Sequence, residues 1–516
     1  MLSRGGFALV LNRSARPTMR GMHARTSSRR TPPFATTPAS MPSAPSDSFA
    51  SSARTSLGRA AMIRAARAPL LWFVAALMVF CAVAGSRVTG PGPNNHFAHL
   101  ADSYLHGTLQ MQAPPPHGND WASVTHLTLA SGQELDGLWW DQREREFMDL
   151  QGNLYAIDAH DMRGADQSRT YYVSFPPLPA VLMMPGVAIF GLQFWDTLFV
   201  LCFAAANVSL CFVLLRHLKR LSLTSLSDAD LHWLTAMFGF GTAHMWCAVQ
   251  GAVWFAALII GTTFSLLYAR VAIGARQPML AGAMLALAFA TRTPLLFSVV
   301  FFSLFFFFPK GERRREWGRP FWLDVLKFGA APLLVGCSLL LANHARFESL
   351  SEFGHSYLAA GQIDRIKHFG LFNVHFVSRN LACMFAQVPQ FLPEAPYLRV
   401  SNHGLALWFT TPALLWLLLQ ERAKSTRDKH FRLAIWVTIA AIAVPHIFYQ
   451  NTGWVQFGYR FSLDYLPYLV MALAVGRTRL SLGFKLAILV GIAVNMFGAV
   501  TFDRMPQFYG EWLLEP

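Results

Sequence analysis

From residue 69 onward the chain alternates long apolar runs with short polar breaks. Apolar runs of about 20 residues match the ~30 Å hydrocarbon core of a bilayer at the ~1.5 Å rise of an α-helix. Spans are predicted near 69–88, 196–216, 231–249, 253–271, 325–342, 404–420, 432–449, 465–476 and 483–501. The run 279–308 is too long for one upright helix and short for two. Its break is Thr291-Arg292-Thr293-Pro294, where proline disrupts the helix. Counting that run twice, the pattern predicts an all-α polytopic membrane protein with about eleven transmembrane helices.

Basic residues set the expected orientation, because cytoplasmic loops retain Lys and Arg. Arg64 and Arg67 before the first span place the N-terminus inside. Arg216, Lys219 and Arg220 come next, then Arg270 and Arg276, Arg313 to Arg315, the group Arg422 to Arg432, and Arg477 with Arg479. All of these are expected inside, and the C-terminus outside. The apolar stretch from Val173 to Leu215 is long enough for two spans, yet this parity allows an odd number of crossings. The PPLPAVLMMPG segment is therefore predicted to lie along the outer surface or to dip in and return, since Pro176, Pro177, Pro179 and Pro185 make a regular spanning helix costly. Residues 69–516 then form a single membrane domain with outer loops at 89–194, 343–403 and 450–464.

Composition agrees with this class. The chain is 53% hydrophobic and 14% charged, against about 25% charged in soluble domains, and its mean hydropathy is +0.34. The net charge of +15 sits mostly in the N-terminal tail and the short loops, so orientation explains it better than nucleic-acid binding does. Residues 1–68 are rich in Arg, Ser, Ala and Pro with Asp47 as their sole acid. They read as a disordered basic cytosolic tail, a targeting segment, or a stretch upstream of a true start at Met41 or Met62. The six cysteines, Cys81, Cys202, Cys211, Cys247, Cys337 and Cys383, form no CxxC pair and read as small buried hydrophobes. No cluster has metal-ligand spacing, so no cofactor is expected.

Non-basic polar chemistry gathers on the expected outer face. HFAHLADSYLHG predicts a short amphipathic helix from about Asn95 to His106, with His99, Asp102 and His106 on one face and His96 nearby. The histidines fit either a site or a solvated helix face. Asp102 is the candidate general base, as a carboxylate just outside the membrane can activate an acceptor hydroxyl. Asp136, Asp141, Asp158 and Asp161 compete for that role from a turn-rich, charged stretch. Arg292 suits a lipid-linked phosphate, because guanidinium matches its oxygens bidentately, or else it snorkels at the interface. Arg460 and Asp464 are four apart in GYRFSLDYLP and are expected to pair, lining a cavity or as an ordinary salt bridge. Arg379 in FVSRNLACMFAQVPQF, near His368, Asn380 and Gln387, is a supporting candidate.

The order of these features resembles the GT-C superfamily of integral-membrane glycosyltransferases, which includes protein mannosyltransferases and lipid A aminoarabinose transferases. The resemblance runs from about residue 69 onward. It rests on the first outer loop, the PPLPAV segment ending in FG, LLRHLKR, LAGAMLALAFATRTP and the closing GWVQFGYRFSLDYLP. It implies transfer of a sugar from a polyprenyl-phosphate donor to a glycan, lipid or protein acceptor on the non-cytosolic face, in a bacterial inner membrane. It also implies an acidic base at the start of the first outer loop. That position matches Asn94 or Asn95 here, and neither accepts a proton, so the role passes to Asp102, or the activity differs. The competing readings are a transporter or lipid flippase, and a non-catalytic relative.

Overall fold

A computed structural model describes residues 67–309, 316–358 and 363–513. The N-terminal tail to residue 66 and the Arg313 to Arg315 cluster lie outside the described residues.

Six helices are long and apolar enough to cross a bilayer: Arg67–Val88, Asp196–Arg220, Val253–Ala275, Arg319–Phe347, Thr426–Phe448 and Leu482–Thr501. Shorter apolar helices occupy Leu178–Gln193, Pro278–Phe289, Thr293–Phe307 and Leu466–Val475. The predicted break at 291–294 is present. The helix Pro278–Phe289 stops there, and a 3₁₀ turn, Thr293–Ser298, leads into Val299–Phe307. Two other expected spans are not continuous. Residues 231–249 divide into Asp228–Phe240 and Ala243–Ala248, on either side of Gly241. Residues 404–420 hold a four-residue helix, Leu407–Thr410, followed by 3₁₀ turns over Pro412–Leu419. Proline at 412 removes an amide donor just where a regular helix needs one.

Serine caps fix where several helices begin. The Oγ atoms of Ser227, Ser425 and Ser481 accept from the backbone N–H of Asp230, Asp428 and Phe484, each satisfying a donor with no partner inside its helix. Two long helices relate the ends of the molecule. Asp196–Arg220 has 25 residues and Thr426–Phe448 has 23, so at ~1.5 Å per residue both reach ~35 Å. That exceeds the ~30 Å hydrocarbon core. Asp196 and Phe448 therefore stand at one face, while Arg220 and Thr426 stand at the other with Arg422, Lys424 and Arg477 nearby in the fold. His217, Lys219 and Arg220 fill the last turn of the first of these helices, where cations complement the helix dipole.

The expectation of an all-α chain fails in the first loop. Five antiparallel strands form a sheet of order β4-β3-β2-β1-β5: β1 Ala122–Thr128, β2 Glu134–Asp141, β3 Glu146–Asp149, β4 Leu154–Ala156 and β5 Asp166–Tyr172. Leu127, Leu129, Leu135, Phe147 and Ile157 supply a small core within it. Ala122, Val124 and Leu138 pack against Phe347, Tyr357 and Leu358, docking the sheet on the end of the helix Arg319–Phe347. The strands are short and most of their charged residues face water, so the stretch reads in sequence as turns rather than as a period-2 pattern. A second, three-stranded sheet joins β6 Gln390–Phe391, β7 Leu398–Ser401 and β8 Tyr509–Gly510.

The PPLPAV segment forms a 13-residue helix, Leu178–Phe190, about 20 Å long and short of a bilayer crossing. It packs on the helix His96–Leu105. Its first amide, Leu178 N–H, donates to the Ala290 carbonyl at 3.0 Å, tying it to the break before Arg292. The cysteine expectation holds for Cys211, Cys247 and Cys383, which are buried, but Cys202 and Cys337 face outward from apolar helices.

Candidate functional site

The start of the first loop is pinned to the membrane helices. Asp196 Oδ1 accepts from the amides of Gly92 and Thr197, both at 2.8 Å. A Cβ at position 92 would sit 3.0 Å from Asp196 Oδ2, so a side chain there would crowd the carboxylate. The Asn94 carbonyl accepts from Val253 N–H at 3.1 Å.

A second segment, 117–121, is laced to this one by histidines. His96 Nε2 donates to the Asn119 carbonyl at 2.9 Å, and its ring stacks on Trp121 with centroids 3.7 Å apart. His117 Nε2 donates to the Pro93 carbonyl, while its Nδ1 faces Trp121 Nε1 at 3.4 Å. Between Asn119 and Trp121 lies Asp120, held at φ +55°, a left-handed conformation that aspartate tolerates better than most residues. Trp254 Nε1 donates to Asp120 Oδ2 at 2.7 Å. Burial pushes the Asp120 carboxyl above its ordinary range, against the Trp254 hydrogen bond and the positive charges of His355 and Arg460. Burial also drives His96 down to about 4, keeping its imidazole neutral at physiological pH.

Asn94, Asn119, Asp120 and Trp254 border a cavity of about 1320 Å³, larger than the ~300–1,000 Å³ of ordinary small-molecule pockets. Five arginines line it: Arg87, Arg365, Arg379, Arg460 and Arg504. Arg87 is committed to Asp503 at 3.0 Å and to Gln250. Arg504 donates to the Val83 and Ala84 carbonyls. Among the described residues, Arg365 and Arg379 donate to neutral oxygens of Gln450, and the Arg379 guanidinium also lies over the Phe376 ring. Arg460 is buried, with a long 3.4 Å contact to the Val455 carbonyl and its guanidinium over the rings of Phe255 and Phe461. Its Nε has no hydrogen-bond partner among the described residues. Aromatic faces stabilise such a cation but leave its donors open to an anion.

Several candidate residues stand elsewhere. Asp102 is on the helix His96–Leu105, its Oδ1 3.6 Å from His106 Nδ1, and does not border the cavity. Asn95 caps the start of that helix and is buried. His106 is exposed and turns its Nδ1 to the Asp102 carbonyl. Asp136 pairs with His126 at 2.7 Å on the sheet, and Asp141 accepts turn amides. Asn380 is spent on the carbonyls of Ile447 and Tyr449.

The expected Arg460–Asp464 pair does not form. Asp464 instead receives a bidentate grip from Arg292, at 2.7 and 2.9 Å, with His446 Nε2 at 3.0 Å. The residues 460–464 adopt a 3₁₀ turn, whose period of three places residues four apart on different sides. Arg292 is thereby occupied, and it does not border the cavity. The anion-binding role foreseen for it is unsupported by its geometry, while Arg460 and Arg379 do reach the cavity.

The residue missed in sequence is Asp120. Its HGND turn carries no periodic signal, and only the fold brings it beside Asn94, 26 positions earlier. Glu511 was also unforeseen. It accepts from Asn402 Nδ2 at 3.0 Å and Trp454 Nε1 at 2.9 Å and pairs with His403 at 3.1 Å. Among the described residues, no group of three or more His, Cys, Asp or Glu side chains is arranged to hold a metal ion. Compared with known proteins, the chain matches no family model, no curated protein and no solved structure.

Proposed function

We propose that the protein is a membrane glycosyltransferase that moves a sugar from a polyprenyl-phosphate donor to a hydroxyl acceptor in the 1320 Å³ cavity. One observation carries this reading. Asp120, half-buried where Asp503 and Glu511 are exposed, faces the same cavity as Arg365, Arg379 and Arg460. Those three arginines have no carboxylate partner among the described residues. A base opposite a cluster of guanidiniums that have no carboxylate at ion-pair distance suits displacement of a phosphate leaving group.

In this scheme Asp120 takes the proton of the acceptor hydroxyl as its oxygen attacks the anomeric carbon. The bond from that carbon to the phosphate oxygen breaks, and polyprenyl phosphate leaves with the electron pair. Arg460, Arg379 and Arg365 hold the phosphate charge, which is larger after cleavage than before. Desolvation makes Asp120 a stronger base than an aqueous aspartate, and Trp254 fixes the direction of its carboxylate. Asp120 thus replaces the acid that is missing at Asn94 and Asn95, and takes the role assigned in sequence to Asp102.

The cavity is read as opening on the non-cytosolic side of a bacterial inner membrane, since the opposite end of the long helices carries the Lys and Arg excess. About eleven crossings would follow if Pro278–Phe289, Thr293–Phe307, Leu466–Val475 and the two broken segments each traverse the layer. The test is cleavage. Purified full-length protein given a labelled polyprenyl-phosphate sugar and a hydroxyl acceptor should release polyprenyl phosphate and label the acceptor. Translocation of intact donor across a vesicle, with no bond broken, would favour a flippase instead.

A further inference from the structure

A second cavity, of about 80 Å³, lies at the other end of the long helices, among the loops 222–225, 421–428 and 475–478. It is several times the ~10–15 Å³ needed for one water. Four cations border it, Arg422, Lys424, Arg432 and Arg477, against two carboxylates, Glu421 and Asp428. Glu421 is engaged by the amide and hydroxyl of Thr478, each at 3.0 Å. Among the described residues, the ion pairs of this face, Lys219–Asp228 and Lys485–Asp230, involve none of the four cations.

Arg432 and Arg477 are half-buried and spend their terminal nitrogens on neutral carbonyls. Arg432 donates to those of Glu421 and Val475, and Arg477 to that of Trp416. Such bonds close helix C-termini but give neither guanidinium a carboxylate at ion-pair distance among the described residues, and Glu421 acts on Arg477 from further off. The Nε atoms of both arginines are buried with no hydrogen-bond partner among the described residues. Retention of loops by positive charge needs exposed cations, not cations drawn into a hollow with donors unsatisfied. Beside the polar hollow, Leu418, Leu419 and Leu482 are 82%, 68% and 74% exposed.

We infer that this cavity binds a phosphate group, and that the group belongs to an anionic phospholipid whose acyl chains lie along Leu418, Leu419 and Leu482. The two kinds of cation act differently here. Arg432 and Arg477 give directed donors inside the hollow, while Arg422 and Lys424 add attraction from the rim. The site is independent of the transfer chemistry at the other face.

The experiment uses delipidated full-length protein in neutral detergent. Retention of phosphatidylglycerol, phosphatidylcholine and inorganic phosphate is measured by native mass spectrometry for the wild type and for Arg422→Gln/Lys424→Gln. Arg422 and Lys424 are exposed, so the double variant should fold. Phosphatidylglycerol is expected to bind and phosphatidylcholine not, with affinity falling about thirtyfold in the variant. Inorganic phosphate binding with the same sensitivity, in place of the lipid, would uphold the phosphate site and assign it a soluble source. Equal retention of every probe by wild type and variant would overturn the site.

Discussion

Arg292 and Asp464, 172 residues apart in sequence, form a bidentate ion pair with N–O distances of 2.7 and 2.9 Å. Asp464 is 1% exposed and Arg292 15%, so without Asp464 the Arg292 charge would stand unpaired in the apolar interior, and without Arg292 the Asp464 carboxylate would keep only His446. This pair closes the helix break at 291–294 onto the turn at 460–464 that presents Arg460 to the cavity. Removing one partner from such a pair costs about 3–5 kcal/mol. Asp464→Ala should therefore lower the thermal unfolding midpoint in detergent markedly. Arg292→Ala should do the same, with donor affinity of the remaining folded protein little changed. A selective loss of donor affinity without loss of stability would restore Arg292 as a phosphate ligand.

Asp120 has a raised pKa, and a general base works only when deprotonated. As pH falls, Asp120 takes up its proton sooner than an ordinary aspartate at ~3.9, so transfer should decline on the acid side at a correspondingly higher pH. Trp254→Phe removes the hydrogen bond that holds the carboxylate form and should move that limb higher still. A pH–rate profile of kcat/KM for the two proteins checks this, and an unmoved limb counts against Asp120 as the titrating base.

Arg460 is the most deeply buried of the arginines that line the cavity. Arg460→Gln should reduce kcat/KM by roughly 10²–10³, the usual cost of losing one donor to a developing anion. Arg87→Gln, whose wild-type charge is already matched by Asp503, should lose much less. Steady-state kinetics with the labelled donor separate the two, and equal losses would remove the special place of Arg460.

His96 is fully buried and its pKa is lowered to about 4 from 6.5. The folded chain thus binds fewer protons than the unfolded chain between these values, so His96 favours folding above pH 6.5 and that contribution is lost as pH falls toward 4. The shift corresponds to about 3 kcal/mol. His96→Gln keeps a donor for the Asn119 carbonyl but has no proton to gain. The stability gap between wild type and variant should shrink progressively from pH 6.5 to 4, as read by thermal melts. A constant gap would contradict the neutral, buried imidazole.

Much of the membrane architecture was legible because apolar length and proline breaks act locally. The break at Thr291-Arg292-Thr293-Pro294 and the short helix after Pro177 are both properties of a few consecutive residues. The first-loop sheet was not legible, since its strands are three to eight residues long and their exposed and buried positions do not alternate regularly. The site was less legible still. Asp464 could be matched to Arg460 by spacing, but its true partner was set by tertiary packing across 172 positions. Asp120 gained its place from His96, His117 and Trp254, three contacts that no sequence period encodes.

In the proposed transfer Asp120, and not Asp102, is the base. The most direct measurement compares sugar transfer from a labelled polyprenyl-phosphate donor by the wild type, Asp120→Asn and Asp102→Asn, at equal amounts of folded protein. Asp120→Asn should lower the rate by about 10²–10⁴, while Asp102→Asn, outside the cavity, should stay near the wild type. Full activity of Asp120→Asn, or loss confined to Asp102→Asn, would contradict the account.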